Sequence, residues 1–247
     1  MTTSAPLPVP ESAMVIVAHP DDAEFMTAGT VARWTRAGAR VVYVVVTKGD
    51  KGSDDPEMTP EKLARIREEE QRAAAAILGV EEVVFLGYPD AYLQYTLELR
   101  RDLVRLIRRY RPEVVVTFDP TTRFFRDSYT NHPDHRVTGD AAVDAVYPAA
   151  RDRLTFAELL AEGLEPHKVR ELWLGTTHEP NFWVDIGSVL EVKRQALLAH
   201  PSQLDEGVAA FVTLLARESA RGQPFEYAEA FRRIVMEQPP IEPRDAP

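Results

Sequence analysis

Short apolar runs alternate with amphipathic stretches along this chain. Met14-Val-Ile-Val-Ala18 is a continuous apolar run with β-branched residues, the pattern of a strand buried on both faces. From Glu24 to Ala37 apolar residues recur at helical spacing, and Gly38 ends the run. Val41–Val46 reads as a second buried strand, and the Gly- and Asp-rich stretch Thr47–Pro60 as the loop at its C-terminal end. Thr59-Pro60-Glu-Lys has the form of a capped helix start with Pro in the first turn, and that helix runs to Leu78 and stops at Gly79. Glu82–Leu86 and Glu113–Phe118 are further strands, with a helix over Leu97–Tyr110 between them. A long polar-aromatic loop, Asp119–Asn131, then leads into a helix from about His132. Beyond Asp152 the pattern loosens, with strands expected at Glu171–Gly175 and Phe182–Ile186 and helices at Val189–Leu198 and Gly207–Glu218. Strands alternating with helices over short linkers predict an α/β, Rossmann-like fold: a mostly parallel sheet with helices on both faces.

At 247 residues, with no internal repeat and no convincing linker, the pattern predicts a single domain over residues 13–237. The Pro-rich ends, residues 1–12 and 238–247, are expected to be poorly ordered tails. The opening segment lacks a basic stretch followed by an apolar one, so it does not read as a signal peptide and a cytoplasmic address is expected. No run approaches the ~20 apolar residues that span a bilayer. A formal net charge of −10 argues against a nucleic-acid partner. With no Cys, disulfides, thiolate zinc sites, iron–sulfur clusters and Cys nucleophiles are all excluded, so any transition metal must be held by His and carboxylate.

In an open α/β sheet, ligands bind outside the carboxyl ends of the strands. The residues leaving the first strand are His19-Pro20-Asp21-Asp22, and the loop after the fourth ends in His132-Pro133-Asp134-His135. Three of the six His fall in these two motifs. His19 and Asp22, three apart on a turn, can bend towards one point, and His135 on the first turn of a later helix can supply a third donor. Two imidazoles and a carboxylate leave room for water, as catalytic zinc requires. Asp21 is then a free carboxylate able to take a proton from that water. His132 is an imidazole able to stabilise an oxyanion or protonate a leaving amine. Either motif alone reads more readily as a helix cap or solvated loop charge; the pair together favours a metal site.

The two motifs, Ala18-His-Pro-Asp-Asp-Ala-Glu24 and Asn131-His-Pro-Asp-His-Arg136, resemble those of the LmbE-like (PIG-L) N-acetylglucosaminyl deacetylase family. The resemblance continues through Gly29, Thr47–Gly49, Arg67…Glu70…Ala74…Leu78-Gly79, Val184-Asp-Ile186, Lys193 and His200-Pro-Ser-Gln203. It implies a zinc-dependent hydrolase that removes an acetyl or other acyl group from a small N-acylated amino sugar or conjugate. By position it implies His19, Asp22 and His135 as ligands of Zn²⁺, a set that also accepts Fe²⁺. It further implies Asp21 as general base, His132 as electrostatic partner or acid oriented by Asp134, and Arg67 as a substrate contact. Assembly into a homo-oligomer is compatible with the family. Tyr129 stands one place away from the tyrosine that some members carry before the second motif.

Other residues have plainer readings. Trp34, Trp173 and Trp183 read as packing, Glu68-Glu-Glu70 as a solvated helix face, and His200 as a cleft residue or a helix-end cation. Two rival functions use the same motifs. One is a non-haem Fe(II) oxygenase built on His19-x-Asp21 and a distant His, which would normally sit on a β jelly roll. The other is a non-catalytic regulator whose Asp21-Asp22 pair binds a metal, which leaves His132 and His135 unexplained.

Overall fold

The computed structural model describes residues 7–125, 127 and 129–236. The expected tail over 238–247 and the first six residues of the expected tail over 1–12 lie outside the described residues. Among the described residues nine strands occur in chain order: β1 Ser12–Val17, β2 Arg40–Thr47, β3 Glu82–Tyr88, β4 Val114–Phe118, β5 Phe124–Phe125, β6 Tyr129–Thr130, β7 Glu171–Gly175, β8 Phe182–Asp185 and β9 Ala228–Val235. The α-helices are α1 Asp22–Arg36, α2 Pro60–Leu78, α3 Leu97–Tyr110, α4 Pro133–Asp144, α5 Leu190–Leu198 and α6 Glu206–Ser219. Seven strands form one sheet in the order β3-β2-β1-β4-β7-β9-β8. β1, β2, β3, β4 and β7 pair in parallel, while β9 runs antiparallel to both β7 and β8. The mostly parallel α/β fold expected from the alternation is the fold observed.

Both faces of the sheet are buried, which is why the strands read as continuous apolar runs. Val15 and Val17 of β1 pack with Trp34, Tyr43, Ala74 and Trp173 on one side, beneath α1, α2 and α5. Met14 and Ile16 point the other way, packing with Leu99, Leu103, Ile107 and Ala142 beneath α3 and α4. The rings of Trp34 and Trp173, both fully buried, lie 4.9 Å apart, so these two tryptophans are packing residues as expected. α2 starts where Thr59 accepts a hydrogen bond from the Lys62 amide and ends at left-handed Gly79, matching its sequence signals.

Three strands escaped the periodicity. The hairpin β5–β6 interrupts what reads as a plain loop over 119–131. β9 is interrupted by charges, Glu229, Arg232 and Arg233, that hide its strand character. Those charges are compensated by tertiary partners. Arg233 makes a two-pronged contact with Glu171 of β7 at 2.6 and 2.7 Å. Glu229 receives the amides of Gly29 and Thr30 and the Thr30 hydroxyl, and it pairs with Lys193 Nζ at 2.7 Å.

Sheet order reverses between β1 and β4: β1 is followed by β2 on one side, while β4 lies on the other. That switch point opens a crevice at the strands' C-terminal ends. The first His-Pro-Asp motif leaves β1 there, and the second opens α4.

Lys193 and Glu229 tie α5, α1 and β9 together through a buried pair, and a single truncation strands the other charge away from water. Glu229→Ala is expected to lower unfolding free energy by about 3–5 kcal/mol, with Glu229→Ala/Lys193→Met recovering part of the loss. Chemical denaturation checks this, and a loss no larger than that of an exposed substitution would refute it.

Candidate metal centre

β1 delivers His19 to the crevice, and the turn His19–Asp22 folds back on itself so that the Asp22 carboxylate accepts the His19 amide at 2.7 Å. The chain turns sharply here because Asp21 adopts φ 97, a left-handed conformation that is rare for a residue with a side chain. On the other side of the switch point, α4 begins at His132 with Pro133 in its first turn. Its first turn places His135 against the ring of Phe118, the last residue of β4, stacked at 4.3 Å. Asn131 Oδ1 lies 3.1 Å from His135 Nδ1, so Nε2 is the nitrogen left to face the site.

Asp22 lies between the two imidazoles. Its Oδ2 is 3.3 Å from His19 Nδ1, and its Oδ1 is 3.1 Å from His135 Nε2. Burial works to raise the Asp22 carboxyl, but His135 and His19 outweigh it and hold the group well below the usual carboxylate range. Asp21 behaves in the opposite way. Burial and the neighbouring Asp22 carboxylate push it up to about 7, against the pull of Arg67. Two adjacent carboxyl groups are therefore driven apart, one firmly ionised and one close to neutrality, a separation typical of acid–base sites.

His19 carries its other nitrogen towards two more carboxylates. Nε2 lies 3.1 Å from Asp90 Oδ1 and 3.5 Å from Asp134 Oδ2. Burial alone would lower the His19 imidazole, but Asp22, Asp134 and Asp90 carry it well above the ordinary histidine range. Donor atoms of His19, Asp90 and Asp134 lie within 4.8 Å of one another, as do those of His19, His132 and His135. Asp134 is fully buried and its Oδ1 has no hydrogen-bond partner. Imidazole nitrogens, crowded carboxylates and an orphaned buried oxygen fit a divalent cation.

His132 differs from expectation in how it is held. Its Nδ1 accepts the Asp134 backbone N–H at 3.2 Å, which leaves the proton of the neutral ring on Nε2. The Asp134 carboxylate accepts from the Ala91 amide at 2.8 Å and faces His19. Burial and the neighbouring His19 and His135 lower the His132 imidazole. Arg67 is 5% exposed, donating Nη1 to Gly49 O at 2.9 Å and Nη2 to Pro20 O at 2.6 Å and to Asp21 Oδ2 at 3.1 Å. Its guanidinium is thus engaged by the protein's own turn. Gly49 makes this possible, since at φ +62 an added Cβ would stand 2.8 Å from the Arg67 guanidinium carbon.

The structure thus brings His19, Asp21, Asp22, His132, Asp134, His135 and Arg67 into one region. Asp90 joins them without having been singled out. Its signal was the Pro89-Asp90 turn at the end of β3, matching the Pro-Asp pairs that follow β1 and open α4. Glu70 is a correction: it is buried rather than solvated, accepting the Ser202 amide and hydroxyl at 2.8 and 2.7 Å. A cleft of about 590 Å³ runs from Asp21, Asp22 and His135 between Phe25, Met26 and Phe125 to Val212 and Leu215 of α6. Tyr129, largely exposed, stands on its rim. Among the described residues no helix is long and apolar enough to cross a membrane.

Comparison with known proteins agrees with this geometry. The family profile described as PIG-L, GlcNAc-PI de-N-acetylase, matches residues 14–146. Diacetylchitobiose deacetylase of Thermococcus kodakarensis is 36% identical over 225 residues, covering 90% of this chain and 82% of that protein. A probable N-acetyl-alpha-D-glucosaminyl L-malate deacetylase 2 of Bacillus anthracis is 31% identical, covering 85% of this chain and 87% of its own length. Among solved structures, N,N'-diacetylchitobiose deacetylase from Pyrococcus horikoshii superposes with a TM-score of 0.85 at 31% identity, covering 92% of this chain and 84% of that one. A 4-carboxy-2-hydroxymuconate hydratase from Pseudomonas putida shares the fold at 23% identity, with a TM-score of 0.77 over 93% of this chain and 98% of its own.

A cation bound here should stabilise the fold without being needed for it, because the two cores are closed by apolar packing that uses none of the site's polar groups. Chelated protein is expected to keep its circular dichroism spectrum. Divalent metal at about 100 times Kd should then add about 2.7 kcal/mol of stability. The increment should vanish in Asp22→Ala, and a full increment in that variant would remove Asp22 from the site.

Proposed function

The chain belongs to the PIG-L (LmbE-like) family of N-deacetylases, and on that premise we propose that it is a metal-dependent amidase removing an acetyl group from a small N-acylated amino sugar. The observation that carries this reading is the pair of adjacent carboxyl groups: Asp22 held ionised between His19 and His135, and Asp21 beside it with its carboxyl raised to about 7. An N-acetylglucosaminyl unit appears in the names of the matching family and of the Bacillus anthracis relative, and we take it as the unit recognised here.

In this reading His19 Nδ1, Asp22 and His135 Nε2 hold the ion, and Zn²⁺ suits two imidazoles and one carboxylate, with Fe²⁺ compatible with the same set. Asp90, against the far nitrogen of His19, fixes that ring's tautomer and orientation. When bound, the ion supplies Lewis-acid polarisation of the amide carbonyl and acidifies a water. Asp21 takes the proton from the attacking water as the new C–O bond forms, and returns it to the amine nitrogen as the C–N bond breaks. Water is consumed, and a carboxylic acid and a free amine leave. His132, with its proton on Nε2, is placed to donate a hydrogen bond to the oxyanion, a role for the neutral ring rather than for an imidazolium. Arg67 acts by bracing Asp21 and not by touching substrate. The oxygenase reading rests on His19-x-Asp21 and a distant His alone, and the mostly parallel, helix-covered sheet counts against it, as the strand–helix alternation already did.

Asp21→Asn is expected to retain metal and substrate affinity while kcat falls by about 10²–10⁴. His19→Ala, Asp22→Ala and His135→Ala should instead lose the metal. Amine release from N-acetylglucosamine conjugates, measured alongside metal content, tests both. Metal lost from Asp21→Asn but kept by Asp22→Ala would overturn the assignment.

A general base works only when ionised, so kcat/KM should fall as pH drops through the Asp21 ionisation. Burial and the Asp22 carboxylate raise that ionisation to about 7, and a nearby cation would draw it lower. The acid limb should therefore lie below about 7 and disappear from the residual activity of Asp21→Asn. A limb unchanged in that variant would assign the ionisation elsewhere.

A further inference from the structure

The left-handed turn at Asp21 is held by side chains that never reach the cleft. Its backbone N–H donates to Gln71 Oε1 at 2.9 Å. The Gln71 amide nitrogen donates in turn to both oxygens of Glu24 at 3.0 and 3.1 Å, and His200 Nε2 lies 3.2 Å from Glu24 Oε2. Gln71, Glu24 and His200 are each fully buried, and none lines the cleft. The chemistry fixes the direction of this chain of contacts. A carboxylate only accepts, so Glu24 forces the NH₂ of Gln71 towards itself and the amide oxygen towards Asp21. Arg67, four residues before Gln71 and so on the same face of α2, holds the Pro20 carbonyl and the Asp21 carboxylate. One helix face therefore grips the turn at its donor, its acceptor and its side chain.

We propose that Gln71, oriented by Glu24, is a positioning residue that sets where the Asp21 carboxylate stands, with Glu24 and His200 as its buried anchor. The proposal rests on Asp21 being the general base. Without the Gln71 acceptor the Asp21 N–H loses its partner, the strained backbone relaxes towards ordinary φ, and the carboxylate leaves its place beside Asp22. Asp22, His19 and His135 are held by their own contacts, so the metal site does not depend on Gln71.

The test is a double-mutant cycle read as kcat, KM and metal content. Gln71→Leu is expected to lower kcat by about 10²-fold, with KM and metal unchanged, as for a misplaced reacting group. In an Asp21→Asn background the same substitution should change kcat by less than about twofold, because the group it positions is already gone. Equal losses in both backgrounds, or a loss in KM alone, would overturn the proposal. If Gln71→Leu does not fold, an exchange of the two groups decides. Gln71→Glu alone puts two carboxylates together and should be poorly active. Gln71→Glu/Glu24→Gln restores an acceptor for the Asp21 N–H and an amide to face it, and should recover kcat to within about tenfold of wild type. No recovery in a folded, metal-loaded double variant refutes the proposal. If Asp21→Asn itself keeps full kcat, the base assignment fails; if only Asp21→Asn loses activity, the positioning role alone fails.

Discussion

Four carboxylates, Asp21, Asp22, Asp90 and Asp134, gather around His19 at the ends of the strands, and holding them together largely out of water is the constraint to which the surrounding structure responds. Charges removed from water persist only when paired and hydrogen-bonded, or when one of them takes a proton. Each carboxylate has a different answer. Asp22 has two imidazoles, Asp90 has His19 and the Lys51 amide, and Asp134 has the Ala91 amide. Asp21 has Arg67 and still sits nearest neutrality. That inequality separates two neighbouring aspartates, one firmly ionised and one able to gain and lose a proton, in the way acid–base sites do.

The fold supplies these partners from separate elements. β1 brings His19 and the two aspartates, the exit of β3 brings Asp90, and the start of α4 brings His132, Asp134 and His135. α2 contributes no cleft residue, yet its Arg67 and Gln71 fix the turn that separates Asp21 from Asp22 in direction. A second buried charge pair, Lys193 with Glu229, sits at the far side of the same cleft and anchors β9 to α1. Rigid elements thus carry the reacting groups, while the hairpin β5–β6 and α6 shape the walls where substrate would lie.

A shared fold does not fix the reaction. The same sheet and helices serve proteins with unlike chemistry, so function must be argued from the constellation at the switch point. Here the constellation joins a His/Asp cluster able to hold a metal with a neighbouring carboxyl group of raised affinity for a proton.

Much of this was legible in the chain. Continuous Val and Ile runs marked β1, β2 and β4 because a sheet covered on both faces leaves no polar side to display. The spacing His19-Pro-Asp-Asp22 and His132-Pro-Asp-His135 named most of the candidate cluster, since one motif leaves β1 and the other opens α4 at the end of the sheet where such folds bind ligands. What the sequence could not determine were contacts between distant positions. Asp90 was not singled out, because only folding sets it against His19, and Glu70 looked solvated until Ser202 closed over it. β9 was hidden because Glu229 and Arg233 break an apolar pattern that only Lys193 and Glu171 make tolerable. Even the roles of Arg67 and Asp134 turned on geometry, because local sequence sets which groups a residue carries while tertiary packing sets which of them face one another.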